Sequence, residues 1–275
     1  MGNNYTLGFV SDLRSLSDFD VCQLSLNPAY KIPKGSASKA LKFLCAAFPN
    51  TKILVHLDMA ISVSKWPLYQ RWFTKDTLRV MEELNEVTYS NFVGVVAHTT
   101  QSFTVSRSKI YVPDAKDLIM YKGYRSLLVS GIKSIALVVN YPVFLETPAS
   151  HRFNGSSLDM LSLAIEESGQ NHKIGVCIDT EHVYAADGLS LEDVTKFLKT
   201  TDLKCVVHLN AVPSGVKPLS RKDRHSTTTL QECSVNNLKQ YLDFTELLDS
   251  LGVVYVREVN KETRLREYKQ IWQNK

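Results

Sequence analysis

The chain has 275 residues, 44% of them hydrophobic, and a formal net charge of +4. This composition is ordinary for a globular protein and argues against a disordered chain. The mildly basic charge permits nucleic-acid binding without requiring it. No apolar run approaches the roughly 18 residues of a membrane span, and the first residues lack the basic and apolar regions of a signal peptide. We expect a soluble intracellular protein with reduced thiols, located in the nucleus, the cytoplasm or a virion.

Strand-like apolar runs alternate with amphipathic segments along the chain, which is typical of α/β proteins. The predicted strands are Thr6–Val10, Val21–Leu26, Lys52–Leu57, Val93–His98, Ser134–Leu145, Lys173–Asp179, Lys204–Leu209 and Val253–Val256. The predicted helices are Ser38–Phe48, Pro67–Glu86, Ala115–Gly131, Ser157–Glu167, Leu191–Lys199, Leu238–Leu251 and Thr263–Trp272. This order favours a single-domain (β/α)₈ TIM barrel over residues 1–275, with an open doubly wound sheet as the alternative.

Histidines and carboxylates recur where the predicted strands end or in the loops that follow. These nine residues are His56, His98, Glu146, Asp179, His182, His208, Asp223, His225 and Glu258. The carboxyl ends of parallel barrel strands open on one face, so the strand-end side chains face one mouth. Each residue alone is more often a cap or a loop hydrogen-bonder, and Asp179 could simply cap a helix beginning at Thr180. Together the nine predict a metal-dependent enzyme.

Five imidazoles and four carboxylates exceed the needs of one ion. Zinc binds histidine nitrogen and carboxylate oxygen, with four ligands in structural sites and three plus water in catalytic ones. The set therefore suffices for two or three ions if a carboxylate bridges a pair. Two metals roughly 3.5–4 Å apart can stabilise both oxygens of an in-line displacement, which suits phosphodiester hydrolysis.

Two blocks of the sequence resemble endonuclease IV, the zinc-dependent apurinic/apyrimidinic endonuclease family. Residues Gly175-Val176-Cys177-Ile178-Asp179-Thr180-Glu181-His182 are similar to its G-[VL]-C-x-D-T-x-H signature. His208-Leu209-Asn210, followed by Asp223-Arg224-His225, resembles its H-x-N and D-R-H motifs. Its other ligand positions are matched in order by His56, His98, Glu146 and Glu258, so the resemblance covers almost the whole chain.

The resemblance implies a barrel with three zinc ions. By position, the first ion would be held by His56, His98 and Glu146; the second by Glu146, Asp179, His208 and Glu258; and the third by His182, Asp223 and His225. Glu146, Asp179 and Glu258 are the candidate catalytic residues. The resemblance implies a DNA-repair hydrolase. It would cleave the phosphodiester 5′ to abasic sites in double-stranded DNA and trim blocked 3′ ends.

The positions that would contact DNA depart from the family pattern. Where the family inserts a Tyr-Leu pair beside the lesion, this chain has Met59 and Ala60. Apolar side chains do insert between base steps, so the candidate DNA-contacting residues at the lesion are Met59, Tyr30 and Ile61. Candidate contacts to the DNA backbone are Arg221, Lys222 and Arg224. In keeping the metal ligands while the recognition positions differ, the chain resembles the compact family members that large DNA viruses encode.

Other functions stay open. A sugar isomerase or epimerase shares this barrel and often holds divalent ions, although its metals are typically set by carboxylates with one histidine. An ultraviolet-damage endonuclease, and a barrel that binds zinc and DNA without cutting, are further alternatives. We expect a monomer, because a closed barrel leaves no strand edge to pair.

Overall fold

The computed structural model describes residues 4–7, 20–26, 32–57, 72–98, 118–147, 158–217 and 227–272. Within them, eight strands form one parallel sheet whose spatial order is the order of the chain. The strands are β1 Asn4–Leu7, β2 Val21–Leu26, β3 Lys52–Leu57, β4 Phe92–His98, β5 Val143–Glu146, β6 Ile174–Asp179, β7 Cys205–His208 and β8 Val254–Val256. The last strand contacts both β1 and β2, so the sheet curls into a barrel.

Helices connect and cover these strands. They are α1 Ser36–Ala47, α2 Trp72–Leu84, α3 Leu118–Val138, α4 Leu158–Ser168, α5 Thr180–Asp187, α6 Leu191–Thr200, α7 Leu238–Ser250 and α8 Lys261–Trp272, with a short 3₁₀ helix at Leu230–Glu232. This arrangement confirms the predicted (β/α)₈ barrel. That the chain forms a single domain stays a prediction. Among the described residues, no helix is long and apolar enough to cross a membrane.

The apolar residues of the strands divide between two cores because successive side chains point to opposite faces. The larger core lies between the sheet and the helices, while the smaller one fills the barrel with Leu54, Val96, Phe144, Cys177 and Val206. Gly175 lets the strands close around this filling. A Cβ at Gly175 would meet the carbonyl oxygen of Lys204 and lie 3.0 Å from the ring of Phe144.

The predicted strand Ser134–Leu145 is wrong over its first part. Residues through Val138 belong to α3, and β5 begins only at Val143. Leu128, Ile132 and Ile135 are fully or almost fully buried and follow the spacing of one helix face, so the apolar run is the buried face of α3. A further helix, α5, begins at Thr180 directly after β6.

The first predicted strand, Thr6–Val10, is shifted: β1 spans Asn4–Leu7, and residues 8–10 lie outside the described part of the chain. The second and third strands have the predicted bounds. The helix predicted to end at Gly131 continues to Val138, and the predicted helix residues 67–71, 115–117 and 157 lie outside the described part of the chain. The other ends differ by one or two residues, as element ends commonly do.

Candidate metal centre

The strand ends bring the predicted ligands together. Register pairs His98 with Glu146 at the ends of β4 and β5, and Asp179 with His208 at the ends of β6 and β7. Glu258 lies two residues beyond β8. All of these positions are at the carboxyl-terminal mouth of the barrel, where TIM-barrel enzymes carry their chemistry.

Glu146 lies at the centre of the group, with a side chain only 1% exposed. Its Oε2 is 3.2 Å from Nε2 of His56 and 3.2 Å from Nδ1 of His98. Its Oε1 is 3.3 Å from Nδ1 of His208 and 3.4 Å from Nδ1 of His182. Burial acts to raise the pKa of Glu146, but His98 and His208 outweigh it and hold the pKa well below its usual value.

Three overlapping groups of side chains have the composition and closeness of metal ligands. Within each, one potential ligand atom per residue lies within 4.8 Å of the others. The groups are His56, Glu146 and His208; Glu146, Asp179, His208 and Glu258; and Asp179, Glu181 and His182. The second group joins three carboxylates to one imidazole.

Gln23, on β2, fixes which nitrogen of His208 faces these carboxylates. The amide Nε2 of Gln23 donates to Oε1 of Glu258 at 2.6 Å, because a carboxylate can only accept. The amide oxygen therefore faces Nε2 of His208, 2.9 Å away, and that nitrogen must carry the proton. Neutral His208 consequently directs the lone pair of Nδ1 towards Oε2 of Glu258, at 3.0 Å, and Oε1 of Glu146, at 3.3 Å.

His56 repeats this arrangement from the opposite side of Glu146. Its Nδ1 donates to the carbonyl oxygen of Leu57 at 2.9 Å, so neutral His56 directs the lone pair of Nε2 towards Glu146 at 3.2 Å. A lone pair of an imidazole nitrogen and a carboxylate oxygen repel each other at this distance unless a proton or a cation lies between them. The donor set therefore fits a divalent cation, with nitrogen and oxygen ligands that such ions accept.

The pKa values show how these side chains balance one another's charge. Burial lowers the pKa of His208, but Cys177, Glu258 and Glu146 together raise it well above its usual value. For Glu258, burial acts upwards while His208 and His56 act downwards, and the pKa is about 2. His98 differs, since burial dominates and its pKa is lowered. The raised pKa of His208 thus favours a positive charge among these carboxylates.

Asp179 combines two roles that the sequence left open. Its Oδ1 accepts hydrogen bonds from the backbone N–H of Glu181 and of His182, at 2.8 and 2.9 Å, so it is the N-cap of α5, the alternative to metal binding that the sequence left open. Its Oδ2 accepts from Nδ2 of Asn210 at 2.6 Å and belongs to the ligand group. Capping and metal binding are therefore compatible.

The remaining predicted site residues lie outside the described residues: Asp223, His225, Met59, Tyr30, Ile61, Arg221, Lys222 and Arg224. A third ion held by His182, Asp223 and His225 stays a prediction. In the described part of the chain, His182 instead groups with Asp179 and Glu181, and its Nδ1 donates to the carbonyl oxygen of Thr147 at 2.8 Å.

Sequence reasoning missed Gln23 and Glu181. Both side chains are fully buried. Gln23 could have been found from strand alternation, since it is the polar residue between Cys22 and Leu24 and therefore points into the barrel. Glu181 occupies the second of the two variable positions of the G-[VL]-C-x-D-T-x-H segment, so the motif itself gave no reason to select it.

Comparison with solved structures gives the same barrel. The chain is 14% identical to the 3-keto-D-glucoside 4-epimerase of E. coli (TM-score 0.65, covering 98% of this chain and 97% of that one). It is 16% identical to a D-tagatose 3-epimerase-like protein (TM-score 0.61, 98% and 96% covered). It is 13% identical to the IolI protein with a bound zinc atom (TM-score 0.62, 98% and 91% covered). No family model and no curated protein matches the sequence.

These matches correct the predicted activity. At such identities the likeness shows the fold, and the resemblance to endonuclease IV holds as far as the barrel that it implied. The activities named for the matched structures are those of sugar epimerases and not of phosphodiesterases. The prediction of a zinc-dependent abasic-site endonuclease in DNA repair is therefore wrong. A DNA partner and a monomeric state stay untested predictions.

Proposed function

We propose that the chain is a metal-dependent sugar isomerase or epimerase that moves a proton at a carbon next to a carbonyl group. The observation that carries this proposal is the group of Glu146, Asp179, His208 and Glu258 at the barrel mouth. It offers three carboxylates and one imidazole, the ligand pattern expected of this class of barrel enzyme. The matched epimerases support the proposal through their shared architecture.

These four residues would hold one divalent ion, and His56 could complete it or hold a second ion with Glu146 and His208. Zinc, manganese and cobalt all accept such nitrogen and oxygen donors. Bound there, the ion would supply Lewis acidity that polarises a substrate oxygen.

Glu258 is the candidate general base. Its side chain is 17% exposed, whereas those of Glu146 and Asp179 are 1% and 0% exposed, so it is the ligand-group carboxylate that a sugar can reach. Its pKa of about 2 keeps it ionised at neutral pH. Glu258 would take the proton, the C–H electrons would form the carbon–carbon double bond, and the carbonyl oxygen would gain the charge. Epimerisation would need a second acid, such as a water molecule, to deliver a proton to the opposite face of the same carbon. Isomerisation would return the proton to the former carbonyl carbon, while the proton of the neighbouring hydroxyl group moves to the former carbonyl oxygen.

Proton exchange with solvent tests the proposal without knowledge of the natural substrate. The Co²⁺- or Mn²⁺-loaded protein would be incubated in D₂O with D-allulose, D-tagatose and D-fructose, and deuterium at carbons next to the carbonyl would be followed by NMR. We expect incorporation with at least one sugar, and its loss in Glu258→Gln, by about 10²–10⁴-fold for a general base.

The matched control is Glu232→Gln, which changes an exposed carboxylate that pairs with Arg266. It should leave exchange unchanged. Absence of exchange with every sugar, in protein shown to bind the metal, would refute the proposal.

A further inference from the structure

Arg257 is a buried cation directly after β8, between Val256 and the candidate metal ligand Glu258. Its side chain is 3% exposed, and that of Glu267 in α8 is 0% exposed. Nε of Arg257 donates to Oε1 of Glu267 at 3.0 Å, and Nη2 donates to Oε2 at 2.7 Å. This two-point contact fixes the plane of the guanidinium group.

The remaining donors of Arg257 reach the segments that surround the centre. Nη1 donates to the carbonyl oxygen of Leu209 at 2.6 Å and to Oδ1 of Asn210 at 3.3 Å. Nη2 also donates to the carbonyl oxygen of Thr228 at 3.0 Å. Arg257 therefore joins α8 to the segment that directly follows His208.

Asn210 carries this connection into the ligand group. Its Nδ2 donates to Oδ2 of Asp179 at 2.6 Å, while its Oδ1 accepts the backbone N–H of Glu258 at 3.1 Å. The amide cannot turn over, since its oxygen would then face the Asp179 carboxylate. Arg257 donates to the same Oδ1 of Asn210. The position of Arg257 therefore determines where Asn210 contacts Asp179 and the backbone of Glu258.

We infer that Arg257 and Glu267 are positioning residues that, through Asn210, set the Asp179 carboxylate and the backbone of Glu258 for metal binding. The inference rests on one part of the proposed function, namely that the candidate metal centre holds a cation. Buried ion pairs are weak stabilisers, since well-packed hydrophobic residues often replace them without loss of stability. Partners that orient metal ligands have a clear effect, because their removal weakens metal binding.

The test replaces the ion pair by apolar side chains of similar length. Arg257→Met combined with Glu267→Met leaves neither charge buried alone. Co²⁺ affinity would be measured by titration, and the visible spectrum of bound Co²⁺ would report the ligand geometry. We expect a folded protein with affinity weakened by about 10- to 100-fold and an altered spectrum.

The control is Arg266→Met with Glu232→Met. This pair uses the neighbouring residue of α8, but its side chains are 43% and 42% exposed. Its removal should change neither the affinity nor the spectrum.

An unchanged Co²⁺ affinity and spectrum in the Arg257/Glu267 double variant would overturn the inference. If that variant does not fold, Asn210→Ser, which removes the amide link and keeps the ion pair, would be measured in the same titration. Unchanged Co²⁺ binding in Asn210→Ser would again contradict the inference. The outcome is independent of sugar chemistry. Wild-type protein that binds Co²⁺ but exchanges no sugar proton would refute the proposed function and leave this inference standing.

Discussion

Gln23 shows how one buried amide can determine the chemistry of its neighbours. It is fully buried and contacts two members of the ligand group, Glu258 and His208. Both contacts depend on the amide, since one needs its donor and the other its acceptor. The tautomer of His208, and so the atom that faces a cation, is therefore set from β2.

Replacement of Gln23 by leucine should leave the tautomer and orientation of His208 no longer determined by β2. Nε2–H of His208 would then lie buried without its acceptor, and Glu258 would lose its 2.6 Å donor. We expect metal affinity to fall by about 10- to 100-fold, the range for partners that orient ligands. Isothermal titration with Zn²⁺ would measure it.

Gln170→Leu makes the same change at the opposite end of the barrel, before β6, and should bind Zn²⁺ normally. Equal affinities for wild type and Gln23→Leu would show that His208 keeps its orientation without the amide.

At the scale of elements, the approach of β6 to β7 depends on the lack of a side chain at Gly175. A Cβ there would clash with the backbone oxygen of Lys204, which accepts the N–H of Val176. Gly175→Ala should thus push the strands apart and lower the free energy of unfolding by about 1–3 kcal/mol, or more if the pairing is lost. Denaturant unfolding would measure the change.

Gly252→Ala provides the comparison for this measurement. Gly252 has a φ of +67° and open space around it, so alanine there adds backbone strain without a clash. Its cost should be about 1–2 kcal/mol. Because Asp179 ends the same strand as Gly175, Gly175→Ala alone should also weaken metal binding. Wild-type stability in Gly175→Ala would mean that the neighbouring backbone relaxes freely.

The element pattern was predictable wherever one periodicity dominated. The strands at Val21–Leu26 and Lys52–Leu57 are short apolar runs between clear breaks, and both bounds were predicted. The strand predicted at Ser134–Leu145 was wrong in its first part, because an apolar stretch can form either a buried strand or the buried face of a helix. That the strand-end side chains would lie close together was predictable, since the barrel brings the ends of all parallel strands to one face.

At the scale of the whole molecule, the sequence predicted the cluster of candidate metal ligands better than it predicted a reaction. Glu146, Asp179, His208 and Glu258 can serve phosphoryl transfer or proton transfer, because both chemistries need a cation held by carboxylates and imidazole. The positions expected to select the substrate, such as Met59 and Arg221, lie outside the described residues. Contacts of Gln23 and Arg257 depend on long-range packing that no local motif encodes.

Metal removal should destabilise the whole barrel, and by an amount that depends on pH. A ligand that binds only the folded state at 100 times its Kd adds about 2.7 kcal/mol to the free energy of unfolding. In the metal-free protein, protonated His208 takes over part of the charge balance. Its pKa is raised above 6.5, so this contribution is complete below that value and is lost as pH rises through the raised pKa. Glu258, lowered from 4.5 to about 2, contributes above 4.5 and loses its effect as pH falls.

The contributions of Glu258 and His208 to the stability of the chelated protein are therefore both complete between pH 4.5 and 6.5. Once the pH has risen above the raised pKa of His208, Glu146 and Glu258 lose its compensating charge unless a cation is bound. The difference in Tm between loaded and chelated protein should therefore widen from about pH 6 to about pH 9, as measured by thermal unfolding with and without chelator. In His208→Gln this widening should shrink, because the titrating group is gone. Identical melting of loaded and chelated wild type at both pH values would mean that these ligands hold no cation in the folded protein.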